Sequence, residues 1–145
     1  MRFTISSTAL SSRLLSLSRV INSKSSLPIL NCFVFDVSNN QLAITASDSE
    51  VVVRMSLNLE TLEGNGSFAV NNQNILDAVK ELPEQPLTVD VNMDEHMIYI
   101  SYQNGSYNFP IVNSDEFPIP QSLSDDATSI LISSDILVDN ITRSL

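Results

Sequence analysis

The reading of the fold turns on the opening stretch, Met1-Arg2-Phe3-Thr4-Ile5-Ser6-Ser7-Thr8-Ala9-Leu10-Ser11-Ser12-Arg13-Leu14-Leu15-Ser16-Leu17-Ser18-Arg19-Val20-Ile21. Its hydrophobic period changes partway along. Phe3 and Ile5 alternate with Arg2 and Thr4, which predicts a short strand. Ser6, Ser7 and Thr8 then supply hydroxyls that can accept the orphan N–H groups of a helix start. From there the spacing predicts a helix to about Ile21. At about 100° per residue, Leu10, Leu14, Leu17 and Ile21 form one stripe. Ser12, Ser16 and Arg19 fall opposite it, with Arg13 on a flank. Lys24 follows in a Ser-rich loop closed by Leu27-Pro28.

Working outward, the period becomes two. Strands are expected over Ile29–Val37, Leu42–Ser47 and Val51–Leu59, with Ser38-Asn39-Asn40 as the clearest turn. Gly64-Asn65-Gly66 marks another turn, and Ser67–Val70 another strand. Asn71 or Asn72 can cap a second helix, Gln73–Leu82, which Pro83 helps to end. Its apolar face is Ile75, Leu76, Val79 and Leu82; Gln73, Asp77 and Lys80 lie opposite. Leu87–Asn92, Met97–Tyr102 and Tyr107–Val112 complete the strands, with Asn104-Gly105 as a hairpin signal. The pattern is α+β, two helices packed on antiparallel sheet. Phe117-Pro118-Ile119-Pro120 reads as a boundary, since two prolines do not sit in a central strand.

Beyond it the opening grammar returns. Ile130-Leu131-Ile132-Ser133-Ser134-Asp135-Ile136-Leu137 aligns with Phe3-Thr4-Ile5-Ser6-Ser7-Thr8-Ala9-Leu10, again strand, serine cap, apolar helix. We therefore expect one domain over 1–120, and over 121–145 a linker with the opening strand and helix of a truncated second domain. The helix reaching Leu145 would leave Ile136, Leu137 and Ile141 without a core, so the chain is expected to be a fragment of something longer.

Composition bounds the chemistry. The chain has 145 residues, 43% hydrophobic, and a formal charge of -10 from 17 acidic and 7 basic side chains, which at first sight argues against nucleic acid as a partner. The distribution says otherwise. Met1–Phe35 contains no acid but carries Arg2, Arg13, Arg19 and Lys24. Such a Ser-rich, Arg-bearing, acid-free amphipathic segment also fits an organelle transit peptide ahead of an acidic β-rich domain. One cysteine, Cys32, and one histidine, His96, exclude an internal disulfide, a Cys-based zinc site and His-pair metal motifs. With Gly64, Gly66 and Gly105 the only glycines, there is no Gly-rich phosphate cradle. No apolar run nears the ~20 residues that span a bilayer.

Several segments together resemble the bacterial replicative sliding clamp, the β subunit of DNA polymerase III. They are Met1-Arg2-Phe3-Thr4, Leu27-Pro28-Ile29-Leu30, Leu42-Ala43-Ile44-Thr45-Ala46-Ser47-Asp48-Ser49-Glu50, Leu82-Pro83 and Asp115-Glu116-Phe117-Pro118. The resemblance implies a DNA-clamp (processivity) fold. It implies three such domains per subunit and a homodimeric, cytoplasmic ring around double-stranded DNA whose helices line the channel. It further implies no cofactor or metal and no bond chemistry, with the polymerase catalytic subunit and the clamp loader as partners through a pocket mostly outside these residues. Carried over residue by residue, it makes Lys24, Gln73, Arg19, Lys80 and Arg13 candidates for the DNA-facing lining. Lys24 stands where the family commonly has a DNA-contacting cation. Gln73 and Asn74 stand where other members often have cations. The implied subunit edge is Asn74, Ala78, Tyr107, Asn108 and Phe109.

The expectation fits the physics of sliding. Lys and Arg attract phosphate without reading sequence, and hydroxyls and amides such as Ser12, Ser16 and Gln73 offer weak, exchangeable contacts. An acidic exterior would keep DNA off the remaining surface. A third reading, a small hydrolase, would use the Asp48/Glu50 pair. Two acids in a turn between strands more commonly bond to the local backbone.

Overall fold

A computed structural model describes residues 1–118 and 123–145, so the 120/121 division and part of the Pro118–Pro120 boundary lie outside the described residues. Nine strands, β1 (Arg2–Ser6), β2 (Cys32–Ser38), β3 (Gln41–Ser47), β4 (Val52–Asn58), β5 (Thr61–Glu63), β6 (Gly66–Asn71), β7 (Pro86–Asn92), β8 (Met97–Tyr102) and β9 (Gly105–Pro110), form two antiparallel sheets. One has the order β5-β1-β7-β8-β9 and the other β4-β3-β2-β6. Helices α1 (Ser7–Ser18) and α2 (Asn72–Val79) pack across both. A third helix, α3 (Ser134–Ser144), carries no buried residue.

The alternation within each strand sends one side chain in two to a shared core. Phe3 and Ile5 of β1 meet Val89 and Val91 of β7, Ile98 and Ile100 of β8, and Phe33, Phe35 and Phe68 of the other sheet. Phe35 and Phe68, cross-strand partners, stack with ring centroids 5.2 Å apart. Leu10, Leu14 and Leu17 of α1 and Ile75, Leu76 and Val79 of α2 close the core from the helix side. Each such side chain, fully buried, stabilises the fold by about 1.5–3 kcal/mol before entropy is counted. The opening strand and helix are part of the folded domain: β1 pairs with both β5 and β7, and the apolar residues Phe3, Ile5, Leu10, Leu14 and Leu17 are core.

Several boundaries differ from expectation for identifiable reasons. Helix α1 stops at Ser18, where Val20 and Ile21 turn more tightly through bonds to the carbonyls of Leu17 and Ser18, leaving Ile21 half-buried. Ile29–Asn31 is not strand. Pro28 fixes φ and starts a single 3-10 turn closed by Leu30 N–H to the Leu27 carbonyl, so β2 begins at Cys32. Strand β5, unforeseen, exists because it pairs with β1. The Gln103-Asn104 pair makes the β8–β9 turn, and Gly105 already belongs to β9, where a Cβ would sit 3.0 Å from the Tyr102 hydroxyl. Strand β9 ends at Pro110; the chain then crosses to the other sheet, where Val112 bridges Ala69. Asn39 and Asn40 both take positive φ, 52° and 58°, as the tight β2–β3 turn needs. The expected strand at Ile130–Ile132 does not form and all three residues are exposed, although Ser133 repeats the cap backbone of Ser6 (φ -64 and ψ 135 against -64 and 133).

Candidate nucleic-acid interface

Helices α1 and α2 lie side by side and antiparallel. At one end Ser7, the first residue of α1, bonds to the segment leaving α2: its Oγ donates to the Pro83 carbonyl (2.8 Å) and accepts from Gln85 N–H (3.0 Å). At the other end Ser18 of α1 shares a cleft of about 450 Å³ with Asn71, Asn72 and Gln73 at the start of α2. Ser23, next to Lys24, lines the same cleft, which has no charged residue in its wall. Asn71 caps α2, its Oδ1 accepting from Gln73 and Asn74 N–H. Asn72 Nδ2 donates to the Asn31 carbonyl at 2.6 Å, tying the helix start to the 3-10 turn.

The cations divide cleanly. Arg2 pairs with Asp90 (2.7 Å), Arg54 with Asp36 (3.1 Å), Lys80 with Asp77 (2.8 Å) and Arg143 with Asp139 (3.2 Å). Among the lysine and arginine side chains of the described residues, Arg13, Arg19 and Lys24 alone have no carboxylate within 4.0 Å. All three are exposed, and all belong to α1 or the loop that follows it. An exposed cation without an acid partner keeps its full field for an external anion.

Helix α2 is different. Asp77 accepts from both neighbouring candidates: Gln73 Nε2 donates to its Oδ2 (2.8 Å) and Lys80 Nζ to its Oδ1 (2.8 Å). Those two donors, Lys80 first, hold the Asp77 carboxyl below its ordinary value, and Asp77 in turn raises Lys80. The serines of α1 are also less available than their composition suggests. Ser16 Oγ donates back to the Ser12 carbonyl (3.1 Å) and Ser18 Oγ to that of Leu15 (2.7 Å), so their protons are spent on the helix itself.

Of the residues expected at a subunit edge, Tyr107, Asn108 and Phe109 lie in β9, an edge strand, with Tyr107 stacked between Tyr102 (5.3 Å) and Phe109 (6.3 Å). Asn74 is exposed on α2, which contacts β9. Ala78 is 6% exposed and packs in the core, because it continues the Ile75 stripe. The Asp48/Glu50 segment is a backbone device. Asp48 Oδ1 accepts from Glu50 N–H (3.0 Å) and Val51 N–H (2.7 Å), and Ser47 Oγ from Ser49 N–H, across a turn in which Ser49 takes φ 83°. Those N–H groups, Val51 foremost, hold the Asp48 carboxyl below its usual range, which suits an acceptor and not a proton donor.

The family model described as DNA polymerase III beta subunit, N-terminal domain, matches residues 1–123. The beta sliding clamp of Buchnera aphidicola subsp. Rhopalosiphum padi is 26% identical over 143 residues, covering 99% of this chain and 38% of that one. The beta subunit from DNA polymerase of Streptococcus pyogenes shares the fold with a TM-score of 0.81 at 19% identity, over 90% of this chain and 35% of that one. The Helicobacter pylori beta clamp bound to a DNA ligase peptide does so with a TM-score of 0.78 at 20% identity, over 86% of this chain and 34% of that one. The chain therefore spans little more than a third of the length of these relatives. Two sheets backed by two antiparallel helices, an amphipathic opening at the centre of the core and a match over residues 1–123 lead to one assignment: the chain belongs to the family of the DNA polymerase III beta subunit, through its N-terminal domain.

Proposed function

We propose that this chain supplies the first domain of a ring-shaped processivity factor, in which α1, its following loop and α2 face duplex DNA and the sheets form the outer wall. The carrying observation is the segregation of charge. The three cations without an acid partner, Arg13, Arg19 and Lys24, all lie on or just after α1. Phosphate attraction of this kind is independent of sequence, as a sliding contact requires. No bond is made or broken in this role; holding DNA and tethering a polymerase are binding functions.

In the same reading the first domain occupies residues 1–120 and a second begins within 121–145. The exposed stripe Ile136, Leu137 and Ile141 supports that division, as an amphipathic helix of this kind buries its apolar face against a partner. The edge strand β9 with Tyr107, Asn108 and Phe109, together with Asn74, is the proposed junction with a second subunit; unpaired edges of this kind invite pairing. The replicative polymerase and the clamp loader are the proposed partners, in the cytoplasm of a bacterial cell. NMR titration of the chain with a 20-base-pair duplex tests the DNA face. Shifts confined to α1, residues 19–24 and α2 support it; shifts spread over the sheets, or none, contradict it.

A further inference from the structure

Asp77 sits at the middle of the exposed face of α2, and its two carboxylate oxygens are divided between Gln73 (2.8 Å, one turn before) and Lys80 (2.8 Å, one turn after). These are the donors α2 could otherwise turn toward a phosphate. We propose that Asp77 is an internal competitor for phosphate that mutes α2, so that the hold on DNA comes from Arg13, Arg19 and Lys24 while α2 contributes almost none. This rests on the DNA reading given above.

A carboxylate 2.8 Å from the Lys80 ammonium cancels most of its field at the distance of a phosphate held against the helix. The same carboxylate also repels that phosphate directly. The side chains of Lys80 and Asp77 are 41% and 47% exposed, so the pair contributes little to stability, yet it governs what the surface presents. For a contact that must slide, a grip concentrated on one helix and loop releases fewer counterions and leaves the duplex freer to move.

The test is the salt dependence of binding between this chain and a fluorescent 20-base-pair duplex. Removing both charges together, Lys80→Ala with Asp77→Asn, should leave the slope of log K against log salt where it was, because the paired charges already cancel. Asp77→Asn, which keeps a polar side chain on the helix, should steepen it by one phosphate contact. That corresponds to an additional loss of about 3.5-fold between 50 and 200 mM salt, at ~0.9 per contact. Lys80→Ala in the Asp77→Asn background should abolish the gain, which assigns it to the released ammonium and not to altered folding. An unchanged slope in Asp77→Asn, or a drop in the Asp77→Asn, Lys80→Ala double variant as large as that in Lys24→Ala, overturns the proposal. The DNA reading has its own control. If substituting Arg13, Arg19 and Lys24 together leaves the wild-type slope intact, or if the wild type shows no salt-dependent binding, that reading fails and this inference with it.

Discussion

Ser7 and Gln85, 78 residues apart in the chain, hold each other by both backbone and side chain. Ser7 N–H donates to the Gln85 carbonyl (2.9 Å), Gln85 N–H donates to Ser7 Oγ (3.0 Å), and Ser7 Oγ donates to the Pro83 carbonyl (2.8 Å). Gln85 then reaches on, its Oε1 accepting from Gln103 N–H at 2.8 Å in the β8–β9 turn. Both residues are buried, at 0% and 8% exposure. A buried polar network of this kind fixes the angle at which α1 leaves β1, and so the direction in which Arg13 and Arg19 are presented.

Ser7→Ala should therefore cost about 1–3 kcal/mol, because it strands the buried Gln85 N–H, whereas the Pro83 carbonyl keeps the Gln85 side-chain amide as a donor. Urea unfolding followed by circular dichroism measures it. A change under 0.5 kcal/mol, roughly the size of an ordinary surface substitution, would show that the network is dispensable.

Leu14 and Leu15 are adjacent in sequence but 0% and 47% exposed. Leu14→Ala opens a cavity between α1 and the sheets and should cost about 2–5 kcal/mol. Leu15→Ala should stay within about 0.5 kcal/mol of wild type. Equal effects in the same unfolding assay would contradict the placement of α1.

Much of this was legible in the sequence, for a physical reason. The opening strand and helix announce themselves because their periods, two and then 3.6, are local, and the caps Ser6 and Asn71 lie next to what they cap. The Ser7–Gln85 network left no such trace, since nothing in a serine or a glutamine predicts a partner 78 residues away. Strand β5 is three residues whose only reason for being extended is β1 beside it. In the site, the exposure of Arg13, Arg19 and Lys24 follows from the helix stripe and the loop composition. The muting of Lys80 was written in its spacing from Asp77, but only the shared carboxylate, with Gln73 on its other oxygen, shows both donors engaged. The burial of Ala78 was not legible, because a small residue carries no periodic signal of its own.

Asp48 gives a pH signature. Its carboxyl is held below the ordinary 3.8 by the N–H groups of Val51 and Glu50. The folded state therefore favours the charged form, and the stabilisation is present above the unfolded value and lost as pH falls through the folded one. Asp48→Asn keeps an acceptor oxygen without the charge, so its stability should fall less than that of wild type between pH 5 and about 2. Parallel curves for the two proteins in that window would contradict the assigned role.

Thr45 Oγ1 is buried with no hydrogen-bond partner among the described residues, while Thr45 is 6% exposed in the outer layer of β3. Replacing the hydroxyl by a methyl group in Thr45→Val should stabilise the domain by roughly 0.5–2 kcal/mol, read as a raised urea midpoint. A lowered midpoint would show that the hydroxyl is satisfied in solution.

On the proposed function, Arg13, Arg19 and Lys24, unpaired and on one helix and loop, hold the DNA. The direct measurement is the salt dependence of duplex binding for the wild type and for the triple Arg13→Ala, Arg19→Ala, Lys24→Ala variant. Three phosphate contacts at ~0.9 each predict about a 40-fold loss of affinity between 50 and 200 mM salt for the wild type. The same principle predicts almost no remaining salt-dependent binding in the variant. A variant that binds with the wild-type slope would show that these three cations do not hold the duplex.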